Sequence, residues 1–386
     1  MNRNKLTALL LSAMLLPFSG CAKGSGADSG KMRSNLTAMT CAHEMGVGIN
    51  LGNTFEAYWA SDSNATSGAS MIGDNTPGDY ETCWGAVVTT RECIDGYADA
   101  GFHCVRIPVY WGNMMADDGT FTIHDAYLAR VREVVDDCRA NGLYVVLNIH
   151  HYDEFLIKHF SKEEALDAAA VLWKQIAEYF RDYSDFLVFE GYNEALGSAP
   201  DDVVLSEDEA YDYVNEMNQV FVDTVRATGG NNASRILIAS GYWTNIDNTT
   251  KEKFRMPDDP AGDKLMVSVH YIDNAFYWMN MVGGDRWIDY SRAQCDLLTE
   301  RFTTENIPVF VGECTSIYTA DHFIKHPKYE TSAECLQFEL DLAADCGFVP
   351  VLWDVNDNFY SRTDCRIKSE DDQAVIREVA QRIAAH

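Results

Sequence analysis

Eight short apolar runs, spread from residue 47 to residue 353, constrain most strongly what this chain can fold into. They are Val47–Leu51, Cys104–Val109, Tyr144–Ile149, Leu187–Tyr192, Ile236–Ser240, Leu265–His270, Val309–Gly312 and Pro350–Trp353. Each is nearly continuously apolar rather than alternating, as expected of parallel strands covered on both faces. Between them, apolar residues recur at helical spacing. Ala126–Cys138 stops before Asn141-Gly142, Glu207–Ala227 stops before Gly229-Gly230, and Lys162–Tyr183, Ser332–Cys346 and Gln373–Ala384 read the same way. The stretch after Ser240 has room only for a short helix. This alternation predicts an α/β fold, a TIM (β/α)8 barrel in a single domain. An open, doubly wound sheet is the rival, but no Gly-x-Gly-x-x-Gly follows the first strand. No Gly-x-Ser-x-Gly elbow is present either.

The start of the chain has a different character. Arg3 and Lys5 precede the apolar stretch Leu6–Leu16, which has the length of an export signal and is too short to span a bilayer. Phe18-Ser-Gly-Cys21 follows and resembles a bacterial lipoprotein signal in which Cys21 would carry the lipid. The expected organisation is a signal over 1–21, a flexible tether over 22–35 and the barrel over 36–386. A cell-surface or periplasmic lipoprotein is expected, with plain secretion as the alternative. Ten cysteines besides Cys21 could form disulfides after export, but no Cys-x-x-Cys metal spacing occurs and the pairing is not legible. The formal charge of −29 argues against nucleic acid and anionic membrane surfaces as partners. A monomer acting on a neutral or cationic substrate is expected.

In a barrel of this kind, chemistry collects at the C-terminal ends of the strands. Those ends are unusually polar here. The first strand runs into Asn53 and Glu56, and the second carries Arg106. The third ends at Asn148-Ile-His150-His151 and the fourth at Asn193-Glu194. The sixth ends at His270-Tyr271, the seventh at Glu313 and the eighth at Trp353. Glu194 and Glu313 would face one another across the barrel mouth. Two carboxyls facing one gap suit hydrolysis of a glycosidic bond: one protonates the leaving oxygen, while the other attacks the anomeric carbon or activates water. Glu190 lies about 13 Å deeper along its strand and suits a buried ion pair instead.

Taken together, Asn-Glu after a strand, Val-Arg-Ile-Pro, Asn-x-His-His and a later Gly-Glu closely resemble glycoside hydrolase family 5. Glu81-Thr-Cys-Trp-Gly85 and the Gly-Asn-x-x-Glu-Ala run resemble its bacterial endoglucanase branch. The resemblance covers roughly residues 46–360. It implies a retaining endo-β-1,4-glucanase acting on cellulose or mixed-linkage glucan, with Glu194 as acid/base and Glu313 as nucleophile. It also implies Arg106, His150, Asn193, His270 and Trp353 around the cleaved sugar, with His151, Tyr271, Asn53 and Glu56 as further sugar ligands. One departure stands out. The family has His-x-Tyr on the sixth strand, whereas this chain has His270-Tyr271-Ile272, and alternation puts Ile272 rather than Tyr271 on the face of His270, so either a bulge turns Tyr271 inward or another donor steadies Glu313.

Other readings compete. A β-mannanase or xyloglucanase would use the same catalytic residues, and a glycan-binding lipoprotein could keep the barrel without catalysis. No cofactor or metal is expected, since adjacent strand residues such as His150 and His151 point to opposite faces. Besides Trp353, Trp243, Trp59 and Trp111 are candidates for stacking on sugar rings, whereas Trp173, in mid-helix, suits the core. Endo or exo action would depend on the loops 58–83 and 274–289.

Overall fold

Each of the eight apolar runs becomes a strand: β1 (Gly48–Asn50), β2 (Cys104–Ile107), β3 (Tyr144–Asn148), β4 (Leu187–Glu190), β5 (Leu237–Ser240), β6 (Leu265–His270), β7 (Val309–Thr315) and β8 (Val349–Trp353). They pair in parallel, each with its neighbour in sequence, and β8 returns to β1 to close the barrel. The computed structural model describes residues 30–61, 63–151, 160–197, 205–271, 286–315, 331–355, 357 and 359–383. The expected signal and Cys21 lie outside these residues, as do most of the tether and most of the 274–289 loop.

The ladders are shorter than most of the apolar runs that mark them. Leu51, Val109, Ile149 and Tyr192 are buried but lie beyond their strands, because the chain stays covered as it leaves the barrel. β6 matches its run, β8 begins one residue early at Val349, and β7 runs on to Thr315, with its register against β8 shifting between Val311 and Cys314.

The helices begin where their caps dictate. Ser161, Ser206 and Thr331 each accept a bond from the backbone three residues on, and Glu164, Glu209 and Glu334 return it, fixing helices Lys162–Tyr179, Glu207–Ala227 and Ser332–Asp345. After Ser240 come only a 3-10 turn, Tyr242–Thr244, and a short helix, Ile246–Thr249. Helices Arg91–Ala100 and Arg286–Arg301, which the sequence reading did not pick out, complete the outer ring. Cys346 sits just past the Ser332–Asp345 helix as its C-cap.

Inside the barrel the side chains form layers, because inward residues recur every second position along a strand. The lower layer is apolar and includes Cys104, Val146, Val188, Ile238, Met266, Phe310 and Val351, with helix Ala38–Met45 packed beneath it. Two residues further along each strand the layer turns polar. Asn50, Arg106, Asn148, Glu190 and Ser268 are all fully buried. Buried polar groups persist only when they bond to one another. That layer is the floor of the site.

Candidate active site

The floor is organised by the Arg106 guanidinium. Its Nε donates to Glu190 Oε2 at 2.7 Å, Nη1 to Asn50 Oδ1 and to Glu313 Oε1, each at 3.0 Å, and Nη2 to Asn193 Oδ1 at 2.8 Å. Glu190 also accepts from Asn148 Nδ2 at 3.0 Å and Ser268 Oγ at 2.7 Å, so it is the buried ion-pair partner its depth predicted. Burial by itself would lower the pKa of Arg106, but Glu190 and Glu313 outweigh it and raise it. A permanently charged fork therefore sits beneath Glu313.

Three features place Glu313. Arg106 holds one carboxylate oxygen, and the Tyr271 hydroxyl donates to the other, Oε2, at 2.6 Å. Gly312, just before it, lies where a Cβ would come within 3.1 Å of His270 Nε2 and 3.3 Å of Glu190 Oε1, so no larger residue fits without displacing them. The simple alternation argument for Tyr271 fails for a visible reason. The β6–β7 register shifts between Val269 and His270, Tyr271 takes φ 55°, and its N–H bonds the Glu313 carbonyl at 2.8 Å. A bulge and a left-handed residue swing Tyr271 inward, next to His270. Ile272 lies outside the described residues.

Glu194 leaves β4 by a similar device. The Asn193 N–H continues the ladder to the Ile149 carbonyl at 2.9 Å, after which Glu194 adopts φ 44° and the Gly197 N–H closes the turn onto the Glu194 carbonyl at 2.8 Å. Non-glycine residues in this region cost on the order of 1–3 kcal/mol each and gather at functional sites. His270 Nδ1 lies 3.2 Å from Glu194 Oε1 and 3.7 Å from Glu313 Oε2, bridging the pair. The two carboxylates differ in setting: the Glu194 side chain is 30% exposed, that of Glu313 only 5%. Among the described residues, this trio is the one cluster whose donor atoms could share a metal ion, all lying within 4.8 Å of one another. A cation there would meet the Arg106 charge, so the donor set suits proton transfer better than metal binding.

The expected wall residues divide. His150 stacks on Trp353, with ring centroids 6.1 Å apart and planes 7° apart. Burial, helped by His151, Arg106 and His270, holds its pKa well below the ordinary value, so its imidazole is neutral. His151 does not point away as strict alternation requires. At φ 54° its ring lies 4.4 Å from that of His150, packed by Tyr58 and Trp84, and burial pushes its pKa down to about 4. Asn193 Oδ1 is taken by Arg106, so Asn193 is held from below as well as placed at the rim.

Two expectations are corrected. Glu56 is fully buried: it accepts from the backbone N–H groups of Asn53 and Thr54, the latter at 3.0 Å. It shapes the β1 loop from inside, and burial lifts its pKa to about 7. Asn53 is half-buried at φ 55° in that loop, which Arg362 braces through Thr54 Oγ1 and the Gly52 carbonyl. Trp111 is also fully buried, its indole N–H on the Asn148 carbonyl at 2.8 Å, and belongs with Trp173 in the core. Sequence reasoning missed Asn50 and Ser268, and named Asn148 at its strand end without giving it this role. For Asn148 and Ser268 the signal was parity, each lying two positions past an inward apolar residue, Val146 and Met266; Asn50 follows Gly48 and carried no such signal.

The family model described as Cellulase (glycosyl hydrolase family 5) matches residues 66–359. Endoglucanase A of Clostridium longisporum is 36% identical over 334 residues, covering 84% of this chain but 60% of the relative, so this chain spans less than two thirds of that protein. A solved GH5-4 broad specificity endoglucanase from Ruminococcus champanellensis with bound cellotriose matches at a TM-score of 0.77 and 28% identity, over 90% of this chain and 99% of that one. A Bacteroides ovatus GH5 xyloglucanase in complex with a XXXG heptasaccharide matches at 0.76 and 29% identity, over 93% of this chain and 80% of that one.

Proposed function

The chain belongs to glycosyl hydrolase family 5, the cellulase family, and from that premise we propose that it is a retaining endo-β-1,4-glucanase. Glu194 is its acid/base and Glu313 its nucleophile. The observation that carries this reading is the spacing of the pair, whose facing oxygens lie within 4.8 Å of each other. Retaining enzymes hold their carboxyl groups about 5 Å apart, whereas inverting ones leave about 6.5–9.5 Å for a water between them.

The chemistry follows from the contacts. Glu313, with Arg106 and Tyr271 on its two oxygens, attacks the anomeric carbon as Glu194 protonates the departing glycosidic oxygen. A glycosyl ester on Glu313 results. Glu194, now ionised, takes a proton from water, which attacks the same carbon and expels Glu313 with the original configuration restored. The donors on Glu313 stabilise the carboxylate that reappears in this second step. His270, between the two carboxylates, steadies Glu194 as its charge alternates. Neutral His150 and His151, Asn193 and the Trp353 indole supply hydrogen bonds and an apolar face for the sugar undergoing attack.

A linear β-1,4-glucan such as cellulose or mixed-linkage glucan is the proposed substrate, consistent with an acidic surface that does not repel a neutral polymer. Xyloglucan is the second reading, favoured by the likeness to the Bacteroides ovatus enzyme. Reducing-sugar release from a panel of cellulose, mixed-linkage glucan, xyloglucan and mannan tests both. Activity on mannan alone would overturn both, and no release from any member would favour a glycan-binding protein. A lipid on Cys21 would hold the enzyme at the cell envelope; Cys21→Ser should then move it from the membrane to the soluble fraction.

A further inference from the structure

We propose that Glu81 is a positioning residue for the sugar-binding wall: it ties the neck of the loop 82–88 so that Trp84, on that loop, holds the His151 ring in place. The inference rests on the glucanase reading above, in which His151 faces the sugar undergoing attack.

Glu81 and Thr89 stand at the two ends of this loop, and both are buried. Glu81 Oε2 accepts from the Thr89 N–H at 3.0 Å. Arg130, reaching over from helix Asp125–Ala140, donates Nε to Glu81 Oε1 at 2.6 Å and Nη2 to the Thr89 carbonyl at 2.7 Å. One guanidinium therefore grips both ends of the loop, and the carboxylate between them is fully enclosed. An enclosed carboxylate is costly to desolvate and persists only where its partners offset that cost.

Core packing by the loop does not account for this clamp. Thr82, Gly85, Val87 and Val88 are exposed, and although Ala86 is buried and Cys83 half-buried, both are small. The large group that the loop turns inward is Trp84. Its indole N–H donates to the Tyr58 carbonyl at 2.9 Å, and its ring lies 6.0 Å from that of Tyr58 and 5.8 Å from that of His151.

His151 needs such a support. It sits at φ 54°, a region that a non-glycine residue keeps only where its surroundings fix it. Its Nε2 is enclosed and has no hydrogen-bond partner among the described residues. Packing therefore orients that end of the ring, with Tyr58 at 5.6 Å on one side and His150 at 4.4 Å on another. Tyr58 is itself pinned by Trp84 and by the Tyr110 ring at 4.4 Å. Opening the loop neck would withdraw Trp84 from Tyr58 and His151 together. Enclosure is also what keeps the His151 imidazole neutral, against the pull of the Glu313 charge, so loosening the enclosure has a signature of its own.

The test follows His151 directly. In protein whose histidines carry carbon-13 at Cε1, the His151 NMR signal is identified by its loss in His151→Gln and titrated with pH. The wild-type signal should titrate at about 4. In Glu81→Gln, which keeps the size of the side chain but not its charge, water should reach the ring and the midpoint should move toward 6.5. The kcat/KM on cellohexaose should fall about threefold to tenfold with it. In a Trp84→Ala background Glu81→Gln should change kcat/KM no further, because the clamp acts through Trp84. A lowered thermal midpoint with the titration and kcat/KM unchanged would mean that the ion pair only stabilises the fold. Additive losses in the double variant would mean that Glu81 acts by another route, and either result overturns the proposal. If Glu81→Gln does not fold, Trp84→Ala decides: it leaves the buried pair intact and must shift the His151 titration the same way, and no shift overturns the proposal. Wild-type turnover is a separate readout. If no glucan is cleaved, the glucanase reading falls, while the titration still decides whether Glu81 and Trp84 hold His151.

Discussion

Glu313 takes its two hydrogen bonds from different strands, one from a guanidinium on β2 and one from a phenol just past β6. Bonds to an ionised acceptor are worth about 1.5–3 kcal/mol, so Tyr271→Phe should lower kcat roughly tenfold to a hundredfold with little change in thermal midpoint. An unchanged kcat would mean that Arg106 alone positions the nucleophile. Arg106→Lys should cost about 3–5 kcal/mol in denaturant unfolding, because one ammonium cannot serve four acceptors and leaves Glu190 buried with its charge unanswered. A loss below about 1 kcal/mol would contradict that reading of the floor. At this scale Glu194, Glu313 and Arg106 were legible as residue types at strand ends. Tyr271 and His151 were not placed correctly by strict alternation, since it fails where a residue enters the left-handed region, and sequence does not mark such residues unless they are glycine. Glu56 misled for another reason: a carboxylate in a rim loop looks the same in sequence whether it faces solvent or its own backbone.

Among elements, β7 carries the finest tolerance. Gly312 meets His270 and Glu190 so closely that Gly312→Ala should destabilise the fold by about 1–3 kcal/mol and depress kcat by displacing His270. A variant with wild-type stability and kcat would show that the floor yields more easily than its contacts suggest. All eight strands were visible as apolar runs, and the capped helices as periodic segments. The apolar runs overshoot most ladders because burial continues after the last interstrand bond, and hydrophobicity reports burial rather than pairing. The polar layer was also written in the strands, in Cys104-Val-Arg106, Val146-Leu-Asn148, Val188-Phe-Glu190 and Met266-Val-Ser268, but it becomes visible only once the inward parity of each strand is known.

For the whole molecule, buried titratable groups set opposing pH dependences. His151 has its pKa lowered from 6.5 to about 4, and that of His150 also lies low. Between those values the unfolded chain binds more protons than the folded one, so this contribution is complete above pH 6.5 and is lost as pH falls toward 4. Glu56 and Asp354, raised by burial to about 7 and about 6, act in the other direction, losing stability as pH rises through the window from about 4 to 7. The His151 share can be isolated. The thermal midpoint of the wild type relative to His151→Gln should decline as pH drops from 6.5 to 4, and a constant difference would contradict the assignment.

The central claim is that Glu313 forms a covalent glycosyl ester while Glu194 moves the proton. Incubation with a 2-deoxy-2-fluoro-β-cellobioside bearing an activated leaving group, followed by peptide mass spectrometry, tests it most directly. The account predicts one cellobiosyl adduct per chain, located on Glu313 and released when a sugar acceptor is added. An adduct on another residue, or no adduct from an enzyme that turns over cellulose, would contradict it.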